Sequence, residues 1–307
     1  MFQYIIKRLA QGILTLLVVI LMVAFTIRLS GDPAVAMFQG TSGPTAAELA
    51  RIRHALGTDR PFLIQYWEFL KGIAVGNLGT SFRYNEPVSK LITERLPATL
   101  SLALVSLFLS LLISIPLGMY AAVFQNSILD QTIRIVSMFG LSFPNFWIGI
   151  MLIMILGVEL RWLPPSGFEG WQSLILPGLT LSLILSSTTI RLVRVLMVDV
   201  FHEQYIVTAR AKGLAEHTIQ YKHALRNVMI PVMTYIGLQF GGLIGGIVII
   251  EQVFAWPGVG RLALEAISYR DYPLLQGTVT VLAIFIVLVN LTVDISYALI
   301  DPRIRVD

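Results

Sequence analysis

Tyr205-Ile206-Val207-Thr208-Ala209-Arg210-Ala211-Lys212-Gly213-Leu214-Ala215-Glu216 is a polar island between two long apolar stretches. Residues 174–198 precede it and residues 228–253 follow it. Each is long enough to cross a hydrocarbon core about 30 Å thick, which takes about 20 mostly apolar residues. Tyr205 to Lys212 favours a helix, and Gly213 suits a left-handed cap that turns the chain sharply. A second short helix, through His223 and Arg226, leads back to the membrane, with Pro231 near the start of the next span. A short helix clamped between two spans makes a rigid knob, through which motion in a soluble partner is passed to membrane helices. The plainer alternative is an amphipathic surface helix.

Four further stretches have the same apolar length: residues 9–29, 97–124, 135–158 and 277–300. Pro97 is expected in the first turn of its helix, where a missing N–H costs nothing. Composition agrees. Hydrophobic residues make up 56% of the 307 positions and charged residues 13%, against about 25% charged in soluble domains. That balance excludes a disordered chain and points to an all-α polytopic membrane protein with six spans. The first stretch is followed by Ala34-Val35-Ala36, which imitates a signal cleavage site. Its apolar run exceeds the usual 7–15 residues of a signal core, so it is expected to stay as a span.

Basic residues assign the sides. With the N-terminus inside, the inner segments hold Lys7, Arg8, Arg134, Arg210, Lys212, Lys222, Arg226, Arg303 and Arg305, and Arg191 and Arg194 snorkel inward. The two short outer loops hold only Arg161, Arg261 and Arg270. Both termini are therefore expected in the cytoplasm. The net charge of +4 reflects this retention of basic residues on the inner face; a nucleic-acid partner is not expected. Residues 30–96 are too long for a turn. Their apolar-aromatic run, Pro61 to Leu70, predicts an extracytoplasmic cap of amphipathic helices. Residues 199–227 form the one long cytoplasmic loop. The loop at 159–173 carries Trp162 and Trp171, suited to the membrane interface.

Catalytic chemistry is missing. The sequence has no GxxxxGK[ST] phosphate loop and no HExxH. It has no cysteine, and His54, His202, His217 and His223 are scattered without metal-ligand spacing. No catalytic or metal residue is expected. Candidates for a polar pathway lie in the spans. Pro144 removes a helical hydrogen bond, and Ser142 and Asn145 beside it either line a pathway or satisfy a structural kink. Ser182, Ser186 and Thr189 share a face, as lining or as interhelical glue. Gly237, Gly241 and Gly245 recur every fourth residue, with Gly242 and Gly246 beside them, around Gln239. Such a stripe allows close helix packing or lines an interface or pore. Glu251 sits near the outer end of the fifth span. Asp294 is the one deep acid, either in a structural ion pair with the inner arginines or in a proton relay.

At the 205–216 loop the sequence resembles the permease subunits of bacterial ATP-binding-cassette importers. The family's cytoplasmic signature is a Glu-Ala-Ala-like triplet, a glycine four residues after the middle alanine, and a later apolar residue followed by proline. Here these stand as Thr208-Ala209-Arg210, Gly213 and Ile230-Pro231. Thr208 departs from the acidic first position. Other segments narrow the resemblance to the dipeptide, oligopeptide and nickel branch, in its first-permease type. They are Gly31-Asp32-Pro33, Leu56-Gly57 with Pro61, Phe143-Pro144-Asn145-Phe146-Trp147, Trp162-Leu163-Pro164, Phe254 to Arg261, Arg270-Asp271-Tyr272-Pro273 and Asp301-Pro302-Arg303. The resemblance covers essentially the whole chain.

It implies a type I importer transmembrane domain in the bacterial inner membrane, paired with a second, homologous permease. Two cytoplasmic ATPase subunits sit beneath, binding the ATP and magnesium, and an extracytoplasmic binding protein delivers substrate. Tyr205, Thr208, Ala209, Arg210, Ala211, Lys212, Gly213 and Leu214 form the coupling helix on this reading. The implied substrate is a di- or oligopeptide, a glutathione-like peptide or a nickel chelate. Two other readings remain: an ion-coupled secondary transporter, disfavoured by the lack of paired midplane carboxylates, and a scaffold or export subunit.

Overall fold

The computed structural model describes residues 2–29, 31–36, 45–55 and 57–300. Leu56, the motif Asp301-Pro302-Arg303 and Arg305 lie outside them. Regular structure among the described residues is helical. The chain divides into two compact units, Met1–Thr99 with Pro257–Leu291, and Leu100–Trp256 with Thr292–Asp307.

The first unit opens with α1 (Phe2–Leu29), in which an 18-residue stretch within Ile6–Leu29 has a mean hydropathy of 2.5. Ile13, Leu14, Met22 and Phe25 are exposed along it, as contact with lipid tails requires. The short α2 (Pro33–Ala36), α3 (Ala46–Ala55) and α4 (Phe62–Ala74) follow, so the aromatic run at 61–70 does form a helix. The helix α5 (Val88–Val123) begins nine residues before Pro97, which therefore sits inside the helix and not in its first turn. Its early turns carry Lys90 paired with Glu86 and Glu94. Helix-supporting ion pairs of this kind are invisible to a search for apolar length.

The second unit contains α6 (Ile128–Ser142), α7 (Asn145–Leu152), a π-helical turn at Ile153–Glu159 and α8 (Ile175–Phe201), led in by a 3-10 turn at Trp171–Leu174. After these come α9 (Gln204–Ala211), α10 (Glu216–Thr218), a second π-helical segment at Ile219–Leu225 and α11 (Arg226–Val253). The helix α12 (Val259–Ser268) and the start of α13 (Tyr272–Ile300) return to the first unit. By length and composition, four helices among the described residues suffice to cross a membrane, and up to six spans result if each of two bent pairs counts as one.

The first of these pairs sharpens the sequence expectation of a kink at Pro144. Residues 135–158 were expected as one kinked span. The structure bends by 107° between Ile128–Ser142 and Asn145–Glu159. Phe143 is extended, with φ −102° and ψ 143°, and Pro144 begins the new helix. Both the ring and the missing N–H of proline act against continuing the helix, and the residue before proline is pushed from helical geometry. Phe143 stacks on Phe139 at 5.9 Å and on Trp147 at 4.4 Å, bridging the break.

The centre of this unit is α8, which packs against α6, α7 and α11. Small residues set the spacing. A side chain at Gly140 would meet the Ser187 hydroxyl and the Leu183 carbonyl of α8, and one at Gly118 would meet Val193 and the Ile190 carbonyl. Close approach of backbones is what holds helices together where the solvent is as apolar as their side chains. At the turn into α6, Ser127 caps the helix through the Asp130 N–H. Asp130 is buried and receives both Nε and Nη2 of Arg194, at 2.6 and 2.7 Å, together with the Asn126 N–H. Arg194 is thereby pinned to the first turn of α6. Arg191 is exposed.

Candidate functional site

Two features of the second unit bear on function, a knob and a cavity. The knob is α9 with its turn. Ile206 is fully buried and Ala209 nearly so. They enter a core with Met119 and Ala122 of α5, Val193 and Met197 of α8, and Val228 and Val232 of α11. Buried positions three apart leave the other faces of the helix outward. Tyr205, Thr208, Arg210, Ala211, Lys212, Gly213 and Leu214 are all exposed.

The turn after α9 is built from backbone bonds. The Gly213 N–H donates to the Arg210 carbonyl at 2.9 Å and the Leu214 N–H to the Ala209 carbonyl at 3.3 Å. This pairing is the Schellman motif, in which the residue after the C-cap takes a left-handed conformation. Gly213 has φ +75°. Nothing lies within 4 Å of where its Cβ would be, so the requirement for glycine comes from the backbone alone. Arg210 clamps the turn from outside with a two-point contact to Glu216, at 2.8 and 3.3 Å. Asn227 donates to the Tyr205 hydroxyl at 2.8 Å, tying the first turn of α9 to the start of α11. Thr208 donates back to the Gln204 carbonyl.

The cavity, about 430 Å³, lies between α7, α8 and α11. Its polar wall is Asn145, Tyr235 and Gln239, and Gly242 and Gly246 give it room; the rest is leucine and isoleucine. Gln239 donates through Nε2 to the Thr188 hydroxyl at 2.8 Å.

The other pathway candidates are dispersed. Ser142 is exposed and bonds to the Met138 carbonyl of its own helix. Ser182 is buried and bonds to Leu179, while Ser186 reaches Ser110 of α5 at 3.3–3.4 Å. These two act as glue within and between helices. Gly241 and Gly245 do not line the cavity, and Gly237 packs on Val293 of α13. Glu251 is fully buried beside the turn at Trp256. Asp294 is half-buried on α13. Pro144 sets the break from which Asn145 reaches the cavity.

Sequence reasoning passed over two buried acids. Asp130 left a weak trace, an acid three residues after Ser127, as at capped helix starts. In the first unit, Asp271 accepts from the Ser81 hydroxyl, the Arg83 N–H and the Leu274 N–H, so it caps α13. An Asp immediately before an apolar run is an N-cap signal, though nothing in the sequence marks its contact with Ser81.

Comparison with known proteins gives consistent matches. The family model for the binding-protein-dependent transport system inner membrane component matches residues 114–306. The model for the N-terminal part of such membrane components matches residues 1–103. The glutathione transport system permease protein GsiC of Salmonella typhi is 42% identical over 308 residues, covering 99% of each chain. Its namesake from Escherichia coli (strain K12) is 40% identical over 306 residues, again with 99% of each covered. Among solved structures, a chain of the MetNI methionine ABC transporter in inward-facing conformations superimposes with a TM-score of 0.59 at 18% identity. That match covers 69% of this chain and 96% of the other, and it places the fold with type I importer permeases.

Proposed function

Since this chain belongs to the family of binding-protein-dependent transport system inner membrane components, we propose that it is the first of two permeases in an ATP-driven importer of small peptides of the glutathione kind. The observation that carries the reading is α9: a helix rooted by Ile206 and Ala209 in a core shared with α5, α8 and α11, its other faces left for a partner.

Two ATPase subunits bind ATP and magnesium and carry out the hydrolysis; this chain holds no cofactor. Each ATPase grips one knob. Closure of the ATPase pair on ATP draws the knobs together and opens the outer side of the permeases, and hydrolysis resets them, giving alternating access between two states. Tyr205, Thr208, Ala209, Arg210, Ala211, Lys212, Gly213 and Leu214 form the coupling surface. Thr208 supplies no carboxylate at the position where the family's cytoplasmic signature has an acidic residue, so the charged contacts fall to Arg210 and Lys212. The second permease is homologous and not identical. Full-length identity of about 40% to glutathione permeases favours a peptide over a nickel chelate.

The test is to purify the chain with its ATPase and permease partners and measure ATP hydrolysis on adding the binding protein, empty or loaded with glutathione. The reading expects stimulation by the loaded protein. A complex without ATPase subunits, or one stimulated by a nickel-loaded binding protein and not by glutathione, would overturn the assembly or the substrate respectively.

A further inference from the structure

We infer that the α7–α8–α11 cavity is half of a transit site that reads the peptide bond itself and ignores the charges and side chains of its cargo. The inference rests on the importer reading above and assigns substrate chemistry to this wall. It starts from unused hydrogen-bonding capacity. The Asn145 amide and the Tyr235 hydroxyl make no hydrogen bond among the described residues, and the Gln239 amide spends its nitrogen on Thr188 while its oxygen accepts nothing there. A polar group left without a partner in an apolar medium costs about 2–7 kcal/mol. Two half-exposed polar groups without a partner and a third with capacity to spare, around one space, therefore face water or a polar solute, not lipid.

Their chemistry narrows the solute. A side-chain amide offers a donor and an acceptor side by side, complementary to the N–H and C=O of a peptide bond. No carboxylate, lysine, arginine or histidine lines the cavity, so the termini and side-chain charges of a peptide find no counter-ion here. Among the described residues, no cluster of three His, Asp or Glu able to hold a metal occurs, so a metal ion is not held by its ligands at this wall. The volume of about 430 Å³ falls within the range of roughly 300–1,000 Å³ typical of small-molecule sites. Gly242 keeps it open, since its missing Cβ would meet nothing within 4 Å. Gly246 borders the amide: a Cβ there would be in ordinary contact with Asn145 Nδ2, at 3.4 Å. Neutral, side-chain-blind contacts suit a site that must release cargo already selected by a binding protein.

The experiment uses the complete complex in proteoliposomes with saturating, glutathione-loaded binding protein, and reads peptide uptake per ATP hydrolysed. Gly242→Leu should fill the cavity and cut that ratio by about tenfold or more, with stimulated ATPase activity kept. Gln239→Met, which preserves length and removes the amide, should cut it several-fold, the scale of one lost hydrogen bond. Gln239→Glu, which puts a carboxylate into a wall without a counter-ion, should lose at least as much as Gln239→Met. An unchanged ratio in both Gly242→Leu and Gln239→Met overturns the inference, as does loss of ATPase stimulation or of assembly in parallel with uptake. A wild-type complex that accumulates peptide without ATP would instead defeat the importer reading.

Discussion

Gly213 is constrained through its backbone alone, because its conformation is left-handed and its surroundings are empty. Left-handed geometry costs an ordinary residue roughly 1–2 kcal/mol, and asparagine tolerates it better than alanine. Gly213→Asn, Gly213→Ala and Gly213→Val should therefore lose thermal stability and stimulated ATPase activity in that order. Melting of the purified complex checks this, and losses that follow side-chain size, with Gly213→Ala the mildest, would show that sterics, not φ, govern the site. Gly213 was legible in the sequence because the cap requirement is local. Ser182 and Ser186 were not separable from pathway residues in advance, because a helical face does not reveal whether Ser110 of another helix lies opposite it.

At the scale of elements, the Asp130–Arg194 pair staples α6 to α8 one turn before Met197, in the core under α9. Removing one partner of a buried pair leaves an uncompensated charge, at a cost of about 3–5 kcal/mol, whereas replacing both with apolar groups is often nearly neutral. Asp130→Leu should thus lower the melting temperature strongly, and Asp130→Leu with Arg194→Met should recover most of the loss. A double variant no better than the single would mean the pair adds nothing beyond packing. The six apolar stretches were readable because a membrane imposes length. The 107° break at Phe143–Pro144 was not. Proline states that a helix is weakened, while the stack of Phe139, Phe143 and Trp147 and the contact of Gly140 with α8 fix how far it turns. The start of α5 was misplaced for a related reason: Val88, Leu91 and Ile92 are buried there, but Lys90, Glu94 and Arg95 among them break the apolar run that marks a span.

At the scale of the molecule, the asymmetry of Lys and Arg predicts α9 in the cytoplasm and the Trp162 loop outside. The absence of cysteine makes the check direct. A membrane-impermeant maleimide should label Ser166→Cys from outside intact cells and Lys212→Cys only after permeabilisation. The opposite pattern would invert the topology and detach α9 from any ATPase. The measurement that tests the central claim most directly is uptake by proteoliposomes holding the full complex, with glutathione-loaded binding protein on one side and ATP with the ATPase subunits on the other. The account predicts accumulation that requires hydrolysable ATP and the binding protein and survives collapse of the proton gradient. Accumulation that proceeds without ATP and stops when the gradient is dissipated would contradict it.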